Sequence, residues 1–252
     1  MDLTIVGCSG SLAGPESPAS CYLVRAQAEG RKWQVLLDLG SGALGALQRH
    51  TDPMSLDAVI LSHLHPDHCL DMTGLRVMRQ HGPRPATEDL VVYGPGNTGE
   101  RLARAYGVDE PDPMAGMRFV ALEDGVPVTI GPFSVTPYSV RHPVPTFGLR
   151  IAADGVVLAF TGDTDTCPGL EPLMHEADLV LSEASYLEGR DTGRGVHLTA
   201  HRAATAARDA GARRLMLTHL PPWTSAEDAV AEASQVWHGE VEVARPGLTV
   251  TV

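Results

Sequence analysis

The chain has little positive charge, one lysine and no long apolar run, and each shortage narrows what it can be. Nineteen basic side chains stand against 31 acidic ones, for a formal net charge of -12. Such a surface repels a nucleic-acid backbone, which is ordinarily met by a basic face, so nucleic acid is not the expected partner. Two bound dications would leave about -8, with the same sign. Lys32 is the only lysine, a bias that fits a GC-rich genome. The four cysteines, Cys8, Cys21, Cys69 and Cys167, form no CxxC pair. That excludes a disulfide framework and a thiolate zinc site, and points to reduced thiols in the cytosol. No apolar stretch is long enough to cross a bilayer, and the opening MDLTIVGCSG carries neither a basic leader nor a long apolar core. The expectation is a cytoplasmic protein without a membrane partner. Aromatic residues make up 5% of the chain, too few to betray an interface, and a homodimer is compatible with that.

What is there instead is a dense series of short, β-branched runs bounded by Gly, Pro or Asp. In the first half these are 3–7, 21–26, 33–39, 57–62 and 90–94. The second half repeats the style at 133–140, 147–153, 156–162, 178–183, 214–219, 241–244 and 248–252. Helical patterns fall between them: DHCLDMTGLRVMRQHG (67–82), TAHRAATAARDAG (199–211) and TSAEDAVAEASQVWHG (224–239). For the last, Thr224 is the expected N-cap, with Glu227 completing a capping box. GPRPATED (82–89) and VDEPDPMAGM (108–117) read as surface loops. Strands in runs, with few strict βαβ alternations, predict a layered α/β sandwich. One domain over 1–252 is expected, with an approximate duplication into halves near 1–125 and 126–252.

The sharpest signal is ILSHLHPDHCLDMTG, where His63, His65, Asp67 and His68 crowd the end of an apolar run. Past a strand, alternate residues share a side, so His63 and His65 can converge on one ion while Asp67 and His68 face a second. Helix capping accounts for an aspartate, not for three added histidines. Other strand ends supply the rest: His142 in SVRHPVPTFG, Asp163 in FTGDTDT and His219 in LTHLPPW. The expected arrangement is His63, His65 and His142 on one metal, and Asp67, His68 and His219 on the other, with Asp163 bridging. Imidazole and carboxylate suit zinc, with manganese or iron as the other fits, so the expected cofactors are two divalent metal ions.

HxHxDH followed by a lone histidine, a GD(T) and a final histidine resembles the metallo-β-lactamase fold, an αββα sandwich of two mixed sheets flanked by helices. The resemblance covers nearly the whole chain. It implies that the seven side chains hold two metals sharing one water, and hence a hydrolase. The bridging Asp163 counts against β-lactam hydrolysis, because the enzymes that give the family its name lack a bridging carboxylate. LSEASY (181–186) and VHLTAHRAA (196–204) resemble the ribonuclease Z-like phosphodiesterase branch. By that resemblance Glu183 orients His197, which acts near the phosphate as general acid to the leaving alkoxide or as hydrogen-bond donor to the oxyanion; Asp67, besides ligating, is read as able to orient the attacking water. Members that process transfer RNA carry a long arm between the positions matching His142 and Asp163, where this chain is short.

GCSGSLAGPESPASCYLV, GALGALQRH and LTHLPPWTS look most like actinobacterial cyclic-nucleotide phosphodiesterases. The implied reaction is hydrolysis of a 3′,5′-cyclic nucleotide, cAMP foremost, to the 5′-monophosphate. Thioester or lactone hydrolysis and ribonuclease Z-like cleavage of RNA 3′ ends are the alternatives. The glycine-rich turn at 7–14 could offer backbone N–H groups to a phosphate oxygen. Phe147, Tyr186 and Trp223 could stack on a purine.

Overall fold

The computed structural model describes residues 1–83, 85–108 and 114–252. Its first sheet contains β1 (Asp2–Gly7), β2 (Cys21–Ala28), β3 (Arg31–Leu37), β4 (Ala58–Ile60), β5 (Leu90–Gly94) and β6 (Met117–Ala121). The second contains β7 (Val128–Ile130), β8 (Phe133–Ser139), β9 (Phe147–Ala153), β10 (Val156–Phe160), β11 (Leu179–Glu183), β12 (Leu215–Thr218) and β13 (Val241–Val243). The last strand, β14 (Thr249–Thr251), returns to the first sheet beside β1. The strand orders are β14-β1-β2-β3-β4-β5-β6 and β13-β12-β11-β10-β9-β8-β7. Each sheet runs through three antiparallel pairs and then three parallel ones. The two sheets thus share one order of antiparallel and parallel pairs, while β14 crosses from the second half of the chain to complete the first sheet.

Period-2 alternation explains the layering. Leu3 and Ile5, Tyr22 and Val24, and Val35 and Leu37 face inward, against Phe133, Val135, Leu149, Ile151, Leu158 and Phe160 of the other sheet. Their neighbours Val6, Cys21, Leu23 and Leu36 face outward. That outer face is covered by α1 (Ala43–Leu47), α2 (Pro66–Cys69), α3 (Met72–His81) and α4 (Thr98–Tyr106). The second sheet's outer face is covered by α5 (Leu170–Met174), α6 (Ala200–Asp209) and α7 (Ala226–Ala233), where an alanine face on α6 allows close approach. The result is two mixed sheets between helical layers.

Local expectations shift in three places. The pattern over 67–82 makes two helices, α2 and α3. The Asp67 and His68 carbonyls, which would accept from the next turn, accept instead from Ser20 N at 3.1 Å and Leu39 N at 2.8 Å. Tertiary hydrogen bonds therefore cut the helix and pin its first turn. The N-cap of α7 is Ser225, not Thr224. Arg190 Nη2 donates to the Thr224 hydroxyl at 2.9 Å, so that oxygen is engaged elsewhere. Short β6 and β7, and the helices α1, α4 and α5, were not expected. Of the two expected loops, Arg84 and residues 109–113 lie outside the described residues. Among those described, no helix is long and apolar enough to cross a membrane.

Candidate metal centre

The centre forms where the carboxyl ends of strands from both sheets meet, the usual place for chemistry in open α/β sheets. His63 and His65 follow β4. Pro66 opens α2 at its first helical position, where a missing N–H costs nothing, and so places Asp67 and His68 in the first turn. Gly40 lets this turn come close: a Cβ there would stand 1.8 Å from the Asp67 carbonyl oxygen. His142 follows β8, Asp163 follows β10, and His219 directly follows β12 in the left-handed region at φ 57°. A Ser185 hydroxyl donates to the His219 carbonyl at 2.9 Å and steadies that strained residue.

These seven side chains come together as two clusters. His63 Nε2 lies 3.0 Å from His65 Nδ1, which lies 3.1 Å from His142 Nε2. Across from them, His68 Nε2 lies 3.1 Å from His219 Nε2, and Asp67 Oδ2 lies 3.2 Å from the same His219 atom. Asp163 stands between, with Oδ2 3.8 Å from His63 Nε2 and Oδ1 3.3 Å from His68 Nε2 and 3.5 Å from His219 Nε2. His63, His68, Asp163 and His219 are each at most 2% exposed.

The partners behind the imidazoles decide what they present. His68 Nδ1 donates to Asp38 Oδ2 at 2.7 Å. Ser62 Oγ donates to Asp38 and so accepts from His63 Nδ1 at 3.1 Å. His142 Nδ1 donates to the Val196 carbonyl at 2.8 Å, and His219 Nδ1 to Ser185 Oγ at 2.8 Å. With the proton fixed on Nδ1 in all four, each Nε2 turns a bare lone pair inward. Lone pairs about 3 Å apart repel unless a positive charge lies between them. Among the described residues, buried Asp163 Oδ1 also finds no hydrogen-bond donor. The donor set therefore fits cations, one per cluster, with Asp163 facing both.

Where a proton rather than a cation sits on an inward Nε2, the same demand for positive charge shows as shifted pKa values. Burial would raise the Asp67 carboxyl, but hydrogen bonds from His219 and His68 outweigh it and hold it well below the usual range. Burial likewise opposes ionisation of Asp163, and the charges of His219 and His68 again prevail. His68 is drawn well above its ordinary value because Asp163 and Asp38 overcome the effect of burial. Burial lowers His63, His65 and His142.

Beside the clusters, His197 Nδ1 lies 2.9 Å from Glu183 Oε1. The wholly buried carboxylate also accepts from Thr164 N, Leu198 N and Ser185 N. Burial disfavours the charged ring, but Glu183 more than compensates and lifts His197 to about 9. Its ring centre is 5.5 Å from that of His142, 5.7 Å from that of His219 and 5.0 Å from that of Tyr186, the last edge-on. Trp223 is 64% exposed nearby in sequence to His219, whereas Phe147 packs on the core between the sheets. The N-terminal turn offers less than expected. Ser9 N, Gly10 N and Leu12 N donate to backbone carbonyls, and Ser11 N alone of the four points to the centre, 3.4 Å from His219 Nε2. Sequence reasoning missed Asp38, Ser62, Asp165 and Ser185. Only Asp38 leaves a trace, as the acid closing the apolar run WQVLLD.

A sequence profile described as "Beta-lactamase superfamily domain" matches residues 34–220. An uncharacterized protein of Mycobacterium leprae is 43% identical over 99% of this chain and 88% of its own length. The probable metallo-hydrolase YhfI of Bacillus subtilis is 29% identical over 98% of both chains. Its crystal structure, described as a metallo-beta-lactamase fold protein, superposes with a TM-score of 0.87, covering 99% of this chain and 98% of the other. A ribonuclease Z of Myxococcus xanthus is 26% identical over 98% of this chain and 96% of its own.

Proposed function

This chain belongs to the beta-lactamase superfamily, and from that premise we propose a dinuclear, metal-dependent phosphodiesterase that opens 3′,5′-cyclic nucleotides, cAMP foremost, to 5′-monophosphates. His63, His65 and His142 would hold one divalent ion, and Asp67, His68 and His219 the other, with Asp163 bridging. Zinc is the expected metal, and manganese or iron fits the same donors. When bound, the two ions acidify a water and neutralise charge gathering on the phosphoryl oxygens.

The chain's own groups supply the rest. Asp67 accepts a hydrogen bond from the attacking water and orients it. The water oxygen, having given one proton to solvent, attacks phosphorus opposite the 3′ oxygen, and the P–O3′ bond breaks. His197, whose Nδ1 proton is engaged by Glu183, gives a proton from Nε2 to the departing 3′ oxygen. The Glu183–His197 pair is the single observation that favours a phosphodiester, because an alkoxide leaving from phosphorus needs a proton. Likeness to the ribonuclease Z relative supports the same branch, and likeness to the probable metallo-hydrolase YhfI supports metal-dependent hydrolysis. Transfer RNA is a poorer fit: the β9–β10 hairpin takes up the span between His142 and Asp163, and the net charge is -12.

The test is one metal-loaded preparation assayed against cAMP, cGMP, bis(p-nitrophenyl) phosphate, a thioester and a lactone. Cyclic-nucleotide turnover is expected. Thioester or lactone hydrolysis with no phosphodiester turnover discards the proposal.

A further inference from the structure

Asp165 takes no part in the reaction above, yet it joins both sides of the centre. Its side chain is wholly buried. Oδ2 accepts from Gly195 N at 2.7 Å and pairs with Arg194 Nε at 3.1 Å. Oδ1 accepts from Thr166 N at 2.7 Å and from Arg202 Nη1 at 2.5 Å. Its backbone N–H donates to the Arg141 carbonyl at 2.8 Å. Arg141 is followed directly by His142, whose Nδ1 donates to the Val196 carbonyl, and Val196 follows Gly195. The loop of contacts closes: Asp165 to Arg141, His142 to Val196, Gly195 back to Asp165. His197 is the next residue along.

Glu183 holds the far end of that segment through His197 and Leu198, and Asp165 holds the near end through Gly195 and Arg194. Gly195 is in the left-handed region at φ 78°, and a Cβ there would come within 3.3 Å of Arg141 Nε. The Arg141 guanidinium lies over the glycine. Four donors converging on one buried carboxylate recover the cost of burying it. A ring of this kind has one geometry, and an imidazole whose far nitrogen is fixed by an outer partner is oriented on its near one.

We propose that Asp165 is a positioning residue: it holds the 194–197 segment so that Val196 aims His142 at the imidazole cluster while His197 stays seated on Glu183. The proposal rests on the ligand assignment above. It predicts an asymmetric defect, because the ring ends on His142 and touches none of Asp67, His68 or His219.

Asp165→Asn keeps the volume but sets an NH2 group against donors that need an acceptor. The experiment titrates metal-free wild type and Asp165→Asn with Co²⁺, following ligand-field absorption and counting bound ions by native mass spectrometry. The expected result is two equivalents in both proteins, with one weakened about 10–100-fold in the variant, as for loss of an outer partner. The weakened equivalent is the one missing from His142→Ala. kcat on the phosphodiester falls with it while KM changes little. Two equivalents bound as tightly as in wild type, or both weakened alike, overturns the proposal.

If Asp165→Asn does not fold, Arg202→Met removes one donor and leaves the Gly195 contact. It should weaken the same equivalent by a smaller factor, and unchanged affinity overturns the proposal. Should wild type turn over no phosphodiester, the functional reading fails while the cobalt titration still decides the role of Asp165.

Discussion

The two clusters on either side of Asp163 are made of different material. His63, His65 and His142 are three imidazoles, two of them half-buried, backed by a serine hydroxyl and a backbone carbonyl. Asp67, His68 and His219 are all buried and include a carboxylate, and a second carboxylate, Asp38, stands behind His68. Charges in a low-dielectric interior act more strongly than those at a rim. The inner cluster is therefore expected to be the tighter cation site, with the outer one more open to solvent. With Asp163 shared, the proposed centre would be one unit with a firm side and an exchangeable side.

The harshest way to break that contrast is to remove the shared residue. Asp163→Ala should strip both ions and abolish turnover, a loss beyond the roughly 10–100-fold that follows removal of an outer partner; elemental analysis and the cAMP assay read both. His197→Ala comes next. It should lower kcat by about 10²–10⁴-fold, the usual worth of a general acid, with metal content unchanged; loss of metal instead would make His197 a ligand. Asp38→Asn sharpens the comparison: affinity should fall about 10–100-fold at the inner cluster, whose His68 it meets directly, and by less at the outer, which it reaches only through Ser62 and His63, narrowing the gap between them under graded chelation.

The gentlest prediction concerns pH. His197 is raised from an ordinary 6.5 to about 9 by Glu183. Its protonated form therefore stabilises the fold fully below about 6.5, and that contribution is lost as pH rises through 9. The proton donor disappears over the same interval, so activity should show an alkaline limb at or below about 9, because nearby dications push the pKa down. A limb that persists unchanged in His197→Ala belongs to another group.

Much of the fold is legible in the sequence because apolar runs of period two announce strands without tertiary help. The helix break at Leu70–Asp71 is not, because it is made by Ser20 and Leu39, distant in sequence. Nor is the Ser225 cap, which depends on Arg190 reaching Thr224. In the centre, histidines and aspartates that follow apolar runs stand out because such residues are scarce there. The groups that aim them do not: Ser62, Ser185 and Asp165 look like ordinary turn residues until β4, β10 and β11 bring them behind the imidazoles. The unexpected use of backbone in the N-terminal turn has the same origin. Its N–H groups are spoken for by Pro18 and Leu220, partners that only the closed fold supplies.

The most direct test of the two-sided centre is anomalous diffraction from zinc-loaded crystals. The account predicts two peaks on either side of Asp163. One should lie within about 2.0–2.1 Å of His63 Nε2, His65 Nδ1 and His142 Nε2, and the other at that distance from His68 Nε2 and His219 Nε2. A single peak, or a His142 ring turned away from the His63–His65 pair, contradicts it.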